Sequence, residues 1–221
     1  MKVIAVIPAW NEERTIREVV RSVSAYALPL VVDDGSADRT AELALAAGAR
    51  MVRHAVNRGL GAALGTGLKA ALMLGAEIIF TFDADGQHDA ADIPAVLAPI
   101  RERRADAVIG SRLLAPQGMP WIRHIANKLG NLATLALFGA RVSDSQSGFR
   151  AFSRLAAEGL TIRTDGMEVS SEIAAQIREN GCRLVEVPIR AVYTDYSLSK
   201  GQSFFVGLWT LGKLFIHRVR R

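Results

Sequence analysis

A chain of 221 residues, half of them hydrophobic, is long enough to bury one real core, which excludes a disordered or fibrous protein. Of its net charge of +5, four cations (Lys213, Arg218, Arg220 and Arg221) lie from Phe204 onward, so the first 203 residues carry only +1 and show no basic stripe for nucleic acid. The single cysteine, Cys182, excludes an intrachain disulfide, and an opening MKVIAVIPAWNEE that reaches acids without a long apolar core reads as cytoplasmic.

Residues 2–8, KVIAVIP, read as a strand, and Asn11 is expected to cap a helix with Glu12 and Glu13 in its first turn and Ile16, Val19, Val20 and Val23 on its apolar face. LPLVVDD (28–34) is a second strand, followed by a helix that Ser36 or Asp38 opens and Gly48 ends. ARMVRH (49–54) is a third, weaker strand, ahead of a helix around Ala62 to Leu74. EIIFTF (77–82) and DAVIGS (106–111) are the fourth and fifth, with a helix from Ile93 to Arg103 between them. This β-α alternation predicts an α/β domain with a mainly parallel sheet and helices on both faces. From Pro116 the pattern is less regular: a helical run near Ile122 to Phe138, a loop DSQSGFR (144–150), a helix Glu168 to Glu179 stopped by Gly181, a strand LVEVPI (184–189) and a final helix.

In open α/β sheets ligands bind outside the carboxyl ends of the strands. Here four predicted strands end in Pro8-Ala9-Trp10-Asn11-Glu12, Asp33-Asp34-Gly35-Ser36, Asp83-Ala84-Asp85-Gly86-Gln87 and Gly110-Ser111-Arg112. One such end is an ordinary turn with a helix cap; four together mark one sheet edge as a site. In extended chain, side chains at i and i+2 share a face, so Asp83 and Asp85 aim two carboxylates at one spot. A divalent cation relieves their repulsion, and Mg²⁺ or Mn²⁺ takes one or two protein carboxylates and fills its shell with water and phosphate oxygens. The bland alternative is that the pair caps the next helix or binds loop N–H groups. His88 reads as a solvated loop histidine in preference to a ligand.

Pro8-Ala9-Trp10-Asn11-Glu12-Glu13, Val32-Asp33-Asp34-Gly35-Ser36, Asn57-Arg58-Gly59-Leu60-Gly61, Asp83-Ala84-Asp85-Gly86-Gln87-His88, Gly110-Ser111-Arg112 and Ser147-Gly148-Phe149-Arg150 occur in the order seen in family 2 glycosyltransferases. The chain most resembles the dolichyl-phosphate mannosyltransferase-like branch, strongly over about residues 1–150 and loosely beyond. The resemblance implies a GT-A fold with a Rossmann-like nucleotide-binding half, here over residues 1–203, ahead of a basic amphipathic helix at 204–221. It implies that Pro8, Trp10, Glu12, Val32 and Asp34 hold the nucleoside of a nucleotide-diphosphate sugar, with Arg58 also on the donor. Asp83, Ala84, Asp85 and Gln87 would hold the metal and diphosphate. Arg112 and Arg123 would face phosphate charge, with Asn127 one helical turn beyond Arg123, and Lys200 would close over the pyrophosphate. Arg150 is either part of that charge system or a structural residue bound to a loop carbonyl. Two positions depart from the mannosyl branch: Trp10 stands where tyrosine is common, and Thr194 stands six residues before Lys200 where arginine is common. The second bears on the grip on the acceptor phosphate and on which sugar is carried.

The implied reaction moves the sugar to a polyprenyl phosphate, with metal and arginines stabilising the leaving diphosphate and in-line attack inverting the anomeric centre. A phosphate acceptor needs no general base, whereas a soluble or polysaccharide hydroxyl does. Asp144 is the candidate base for that second case, against a reading as a loop-capping aspartate. Two rivals stand beside this reading. Gly59-Leu60-Gly61-Ala62-Ala63-Leu64-Gly65 has some character of an NAD(P) turn, with Asp83 downstream for a ribose. A non-catalytic nucleotide-sugar-binding protein is the other, and the intact aspartate pair speaks against it. In the tail, Phe204, Leu208, Leu211 and Phe215 recur at helical spacing and Phe205 and Trp209 widen the stripe. The 13 residues from Phe204 to Ile216 are too few to span a bilayer, which takes about 20. This helix either packs on the domain or lies in the membrane interface, cations toward anionic headgroups; the resemblance points to the second, on the inner face of the cell membrane.

Overall fold

Strand β1 (Val3–Ala9) shows how the sequence builds two core layers at once. Its side chains alternate: Val3, Ala5, Ile7 and Ala9 join one apolar cluster, while Ile4 and Val6 join the other. In the computed structural model, which describes residues 1–114, 131, 132, 135, 139, 142–190 and 192, the remaining strands are β2 (Leu28–Asp33), β3 (Arg50–Arg53), β4 (Ile78–Thr81), β5 (Ala107–Ser111), β6 (Arg150–Ser153) and β7 (Leu184–Pro188). They form one sheet in the order β3-β2-β1-β4-β6-β5-β7. Only β6 runs against its neighbours, and the other described strands are mutually parallel.

Helices cover both faces because each carries one apolar stripe. On the first face lie α1 (Ile16–Ser24), α2 (Thr40–Ala46) and α4 (Ile93–Arg101), contributing Ile16, Val19, Val20, Val23, Ala44, Ile93, Val96, Leu97 and Ile100. On the second lie α3 (Leu60–Met73), α5 (Arg154–Glu158) and α6 (Val169–Glu179), contributing Leu64, Leu68, Ala71, Ala156, Ile173 and Ile177. Each wholly buried Val, Leu or Ile contributes about 1.5–3 kcal/mol relative to exposure. Gly67 lets α3 sit against β1, because a Cβ there would overlap the Val6 side chain.

Three local expectations change. Asn11 does not cap α1: it takes a left-handed conformation (φ 54°), and its Oδ1 accepts the Ala37 N–H at 2.9 Å, tying the loop after β1 to the loop after β2. The helix starts later because the Glu12 carbonyl first takes the Thr15 and Ile16 N–H groups. Of Ser36 and Asp38, it is Asp38 that serves α2, accepting the Thr40 N–H at 2.9 Å, while Ser36 Oγ accepts the Asn11 N–H. The predicted loop 144–150 ends in a strand: Arg150 opens β6, paired to Thr81 of β4 and Ile109 of β5. The helical run at 122–138 lies almost wholly outside the described residues. Arg123, Asn127, Thr194, Lys200 and the helix at 204–221 lie entirely outside them. No helix among the described residues is long and apolar enough to cross a membrane.

Candidate active site

The parallel strands bring the four polar ends to one sheet edge, and the loops there brace one another. The loop after β1 is bonded to the loop after β2 through Asn11 N–H to Ser36 Oγ (2.9 Å) and Glu12 N–H to Thr40 Oγ1 (2.7 Å). The loop after β2 is bonded in turn to the loop after β3, where Asp34 Oδ1 accepts the Arg58 N–H at 2.9 Å and Oδ2 accepts the Gly59 N–H at 2.8 Å. His54 Nδ1 lies 2.7 Å from the same Oδ1, and its Nε2 lies 3.0 Å from Thr66 Oγ1. Asp34 is 4 % exposed, and among the described residues its Oδ1 accepts or faces two partners and its Oδ2 accepts one. Trp10 stands out from this wall, 53 % exposed. Arg58 is exposed, and Pro8 and Glu12 are half-buried. The Val32 side chain is wholly in the core and offers no surface to a nucleoside.

At the end of β4 the apolar run serves as an anchor. Phe80, Phe82 and Phe149 pack ring against ring, with centroids 5.1–6.3 Å apart, and His88 lies against Phe82 (5.3 Å) and Phe149 (5.4 Å). His88 is therefore not the solvated histidine expected: it is buried, and its Nε2 lies 2.9 Å from Asp83 Oδ2. Burial pushes the Asp83 carboxyl up, but the His88 bond and charge, with Arg112 and Arg150 nearby, outweigh it and hold Asp83 below the ordinary carboxylate range. Asp85 goes the other way, raised by burial and by the Asp83 charge against the pull of the Gln87 N–H. Gln87 reaches Asp85 with both its backbone N–H (3.0 Å) and its side-chain amide (2.7 Å). Ala84 between them is buried.

Behind Asp83 runs the Ser-Gly-Phe-Arg turn. Gly148 is glycine for a plain reason: a Cβ there would overlap the Asp83 carboxylate. Thr81 Oγ1 fixes the turn by donating to the Gly148 carbonyl at 2.6 Å. Of the two readings of Arg150, the loop-carbonyl bond is present, Nη2 to the Ser145 carbonyl at 3.1 Å. Its guanidinium is fully buried, and desolvation lowers it to about 10 against the opposing charges of Asp83 and Asp144.

Arg112 and Asp144, both named from the sequence as site residues, meet. Arg112 Nε and Nη2 donate to Asp144 Oδ2 (2.8 Å) and Oδ1 (2.9 Å), and the Arg112 N–H adds a third bond to Oδ2. Burial opposes ionisation of Asp144, yet the Arg112 bonds outweigh it and keep the carboxyl low. A carboxylate clamped at both oxygens and held low is a poor proton acceptor, so this geometry argues against a general base at Asp144. Ser143 just before it is fixed by Glu186 of β7, which accepts from its N–H and its Oγ, both at 2.7 Å.

A sequence profile described as glycosyl transferase family 2 matches residues 4–161. The chain belongs to that family.

Its relatives agree in kind. It is 36 % identical over 226 residues, covering 91 % of this chain and 90 % of the relative, to the UDP-N-acetylglucosamine–dolichyl-phosphate N-acetylglucosaminyltransferase of Methanococcus voltae. It is 32 % identical to the polyprenol monophosphomannose synthase of Mycolicibacterium smegmatis, over 90 % of this chain and 80 % of that one. The fold matches that of glucosyl-3-phosphoglycerate synthase from Mycobacterium tuberculosis, crystallised with Mn²⁺, UDP and glucosyl-3-phosphoglycerate, at a TM-score of 0.77 and 22 % identity over 98 % of this chain and 79 % of that one. The protein is a glycosyltransferase with the GT-A fold, on the polyprenyl-phosphate branch of family 2. Family membership removes the NAD(P) reading, and the geometry explains the motif that prompted it. In this glycosyltransferase Gly59 and Gly61 are pressed against the Asp165 and Thr164 carbonyls, where a Cβ would overlap, so the close approach of protein backbone accounts for both glycines.

Proposed function

We propose that this glycosyltransferase carries a sugar from a nucleotide-diphosphate donor to a polyprenyl phosphate, inverting the anomeric centre, with Mg²⁺ or Mn²⁺ at Asp83 and Asp85. The observation that carries the metal reading is the placement of the pair: Asp83 and Asp85 stand just past β4, both only partly buried, and near enough for the Asp83 charge to act on Asp85. A divalent cation relieves that repulsion, and a two-carboxylate set completed by diphosphate oxygens suits Mg²⁺ or Mn²⁺. When bound, the ion would neutralise charge on the departing diphosphate. Pro8, Trp10, Glu12, Asp34 and Arg58 bind and orient the nucleoside, Ala84 and Gln87 border the diphosphate, and Arg112 adds fixed positive charge.

Arg123, Asn127 and Lys200 complete the phosphate grip in this reading. For Lys200 there is support from chain reach. Val192 N–H bonds the Gln87 carbonyl at 2.8 Å, and seven residues, at most about 3.5 Å each, lie between Val192 and Lys200.

A phosphate acceptor is favoured over a hydroxyl by the clamped Asp144, because an anionic nucleophile needs no base, and by the names of the relatives. The helix at 204–221 lies in the membrane interface in this scheme, making the protein peripheral on the cytoplasmic face. The test is transfer of radiolabelled sugar from UDP- and GDP-sugars to undecaprenyl phosphate, with and without chelator, and the product's anomeric configuration by NMR. Transfer to a soluble hydroxyl in preference to the lipid phosphate would overturn the acceptor, and retention the stereochemistry. Co-sedimentation with anionic vesicles, lost on removing residues 204–221, tests the tail.

A further inference from the structure

Glu172 is 3 % exposed in the first turn of α6, away from the carboxylate pair, and collects an unusual number of donors. The Arg163 N–H reaches Oε1 (3.1 Å) and Oε2 (3.2 Å), the Thr164 N–H (3.0 Å) and Oγ1 (2.6 Å) reach Oε2, and Gln176 Nε2 reaches Oε1 (3.2 Å). Gln176 also brackets Thr161, accepting its N–H at 2.8 Å and donating to its carbonyl at 2.7 Å. Residues 160–165 form no helix or strand, so side chains of α6 do for this segment what a sheet neighbour would do. The segment in turn carries the loop after β3. Gly61 N–H donates to the Asp165 carbonyl at 2.9 Å, and Gly59 and Gly61 admit no side chain there because of Asp165 and Thr164. That loop supplies the two N–H groups, Arg58 and Gly59, that hold Asp34.

We propose that Glu172 is a positioning residue for the nucleotide pocket: through Arg163, Thr164 and Asp165 it sets the start of α3 and the Arg58-Gly59 turn before it, and through that turn the Asp34 carboxylate. This rests on the reading of Asp34 as a wall of the nucleoside pocket. An acid fits the role, since the Arg163 and Thr164 N–H groups and Gln176 Nε2 face its two oxygens and a glutamine would turn its NH₂ toward one of these N–H donors. The relay does not touch Asp83 or Asp85, so its loss should separate nucleoside affinity from metal affinity.

The experiment measures UDP and GDP dissociation constants by calorimetry with Mn²⁺ present, and Mn²⁺ affinity by electron paramagnetic resonance. It uses wild type, Glu172→Gln, Thr164→Val and Thr164→Ser, all at a temperature where each is folded. Loss of one acceptor in Glu172→Gln, or of one donor in Thr164→Val, should raise the dissociation constant of the preferred nucleotide about tenfold. Donor KM rises with it, kcat changes little, Mn²⁺ affinity holds, and Thr164→Ser, which keeps the hydroxyl, restores wild-type binding. Unchanged nucleotide binding in folded Glu172→Gln and Thr164→Val overturns the relay. So does a loss confined to melting temperature, which a purely structural role would give. Wild-type protein that binds neither nucleotide overturns the pocket itself and the relay with it.

Discussion

Replacing Gly148 with alanine tests the aspartate pair without altering any charge. The added Cβ would lie closer than 3.0 Å to both Asp83 carboxylate oxygens, a separation that real contacts do not show. Gly148 is not in the left-handed region, so alanine suits the backbone, and the strain falls on the Asp83 side chain, which must withdraw by about 1 Å. Withdrawal breaks the 2.9 Å contact with His88 and takes the carboxylate off the face it shares with Asp85. Overpacking of this kind costs about 1–3 kcal/mol in stability, which leaves a domain of ordinary stability folded. A 1 Å misplacement at a reacting centre costs about 10²-fold in rate, so transfer should fall by that much. Circular-dichroism melting reports the first quantity, steady-state transfer the second, and calorimetry with and without Mn²⁺ whether the metal-dependent part of nucleotide binding is lost. A folded Gly148→Ala protein with undiminished metal-dependent binding and transfer would refute this account of the motif.

Asp85→Asn removes the raised carboxyl and should reduce transfer about 10²-fold while abolishing the Mn²⁺ dependence of nucleotide affinity; equal activity of this variant in chelator-treated assays would dismiss the metal role. Asp34→Ala deletes the acceptor for the Arg58 and Gly59 N–H groups as well as for a ligand, so the nucleotide dissociation constant should rise by at least about tenfold and the melting temperature should drop. An unchanged constant by calorimetry would move the pocket elsewhere. Away from the site, the Arg183 side-chain bonds, then its backbone N–H, lower Asp106 from 3.8 to about 2. A depressed acid stabilises above its unfolded pKa and loses that contribution as pH falls through the folded one. Melting temperatures of wild type and Asp106→Asn should therefore differ at pH 5, and the gap should narrow as pH falls from 4 to 2; a gap undiminished at pH 2 would contradict the assignment.

Much of the sheet was legible because β1, β2, β4 and β5 are short apolar runs whose neighbours carry helical period, a local signal. β6 was not. It begins with Arg150, whose burial is tolerable only beside Asp83 and Asp144, and those partners are remote in sequence. His88 failed as an expectation for the same reason: Phe149, brought in by the reversed strand, closes over it. Asn11 carried the chemistry of a cap, but its oxygen is used across loops, a choice made by tertiary packing. The aspartate pair was legible because a period of two is enough to place both carboxylates. The Arg112–Asp144 clamp, spanning 32 residues, was not, although both members were named.

The reversed strand also governs when the enzyme becomes an enzyme. β1 to β4 and their crossovers are complete by residue 81 and can be laid down in order as the chain leaves the ribosome. Both halves of the site nevertheless wait for chain made much later: Asp83 gains its backing from Gly148, and the loop at 58–61 its support from Asp165 and, behind it, Glu172. A nascent or truncated chain ending before residue 148 would carry Trp10, Asp34, Arg58, Asp83 and Asp85 yet lack the contacts that back Asp83 and the start of α3. Both walls thus draw on chain beyond residue 147, although the residues they support are all in place in the sequence by residue 85.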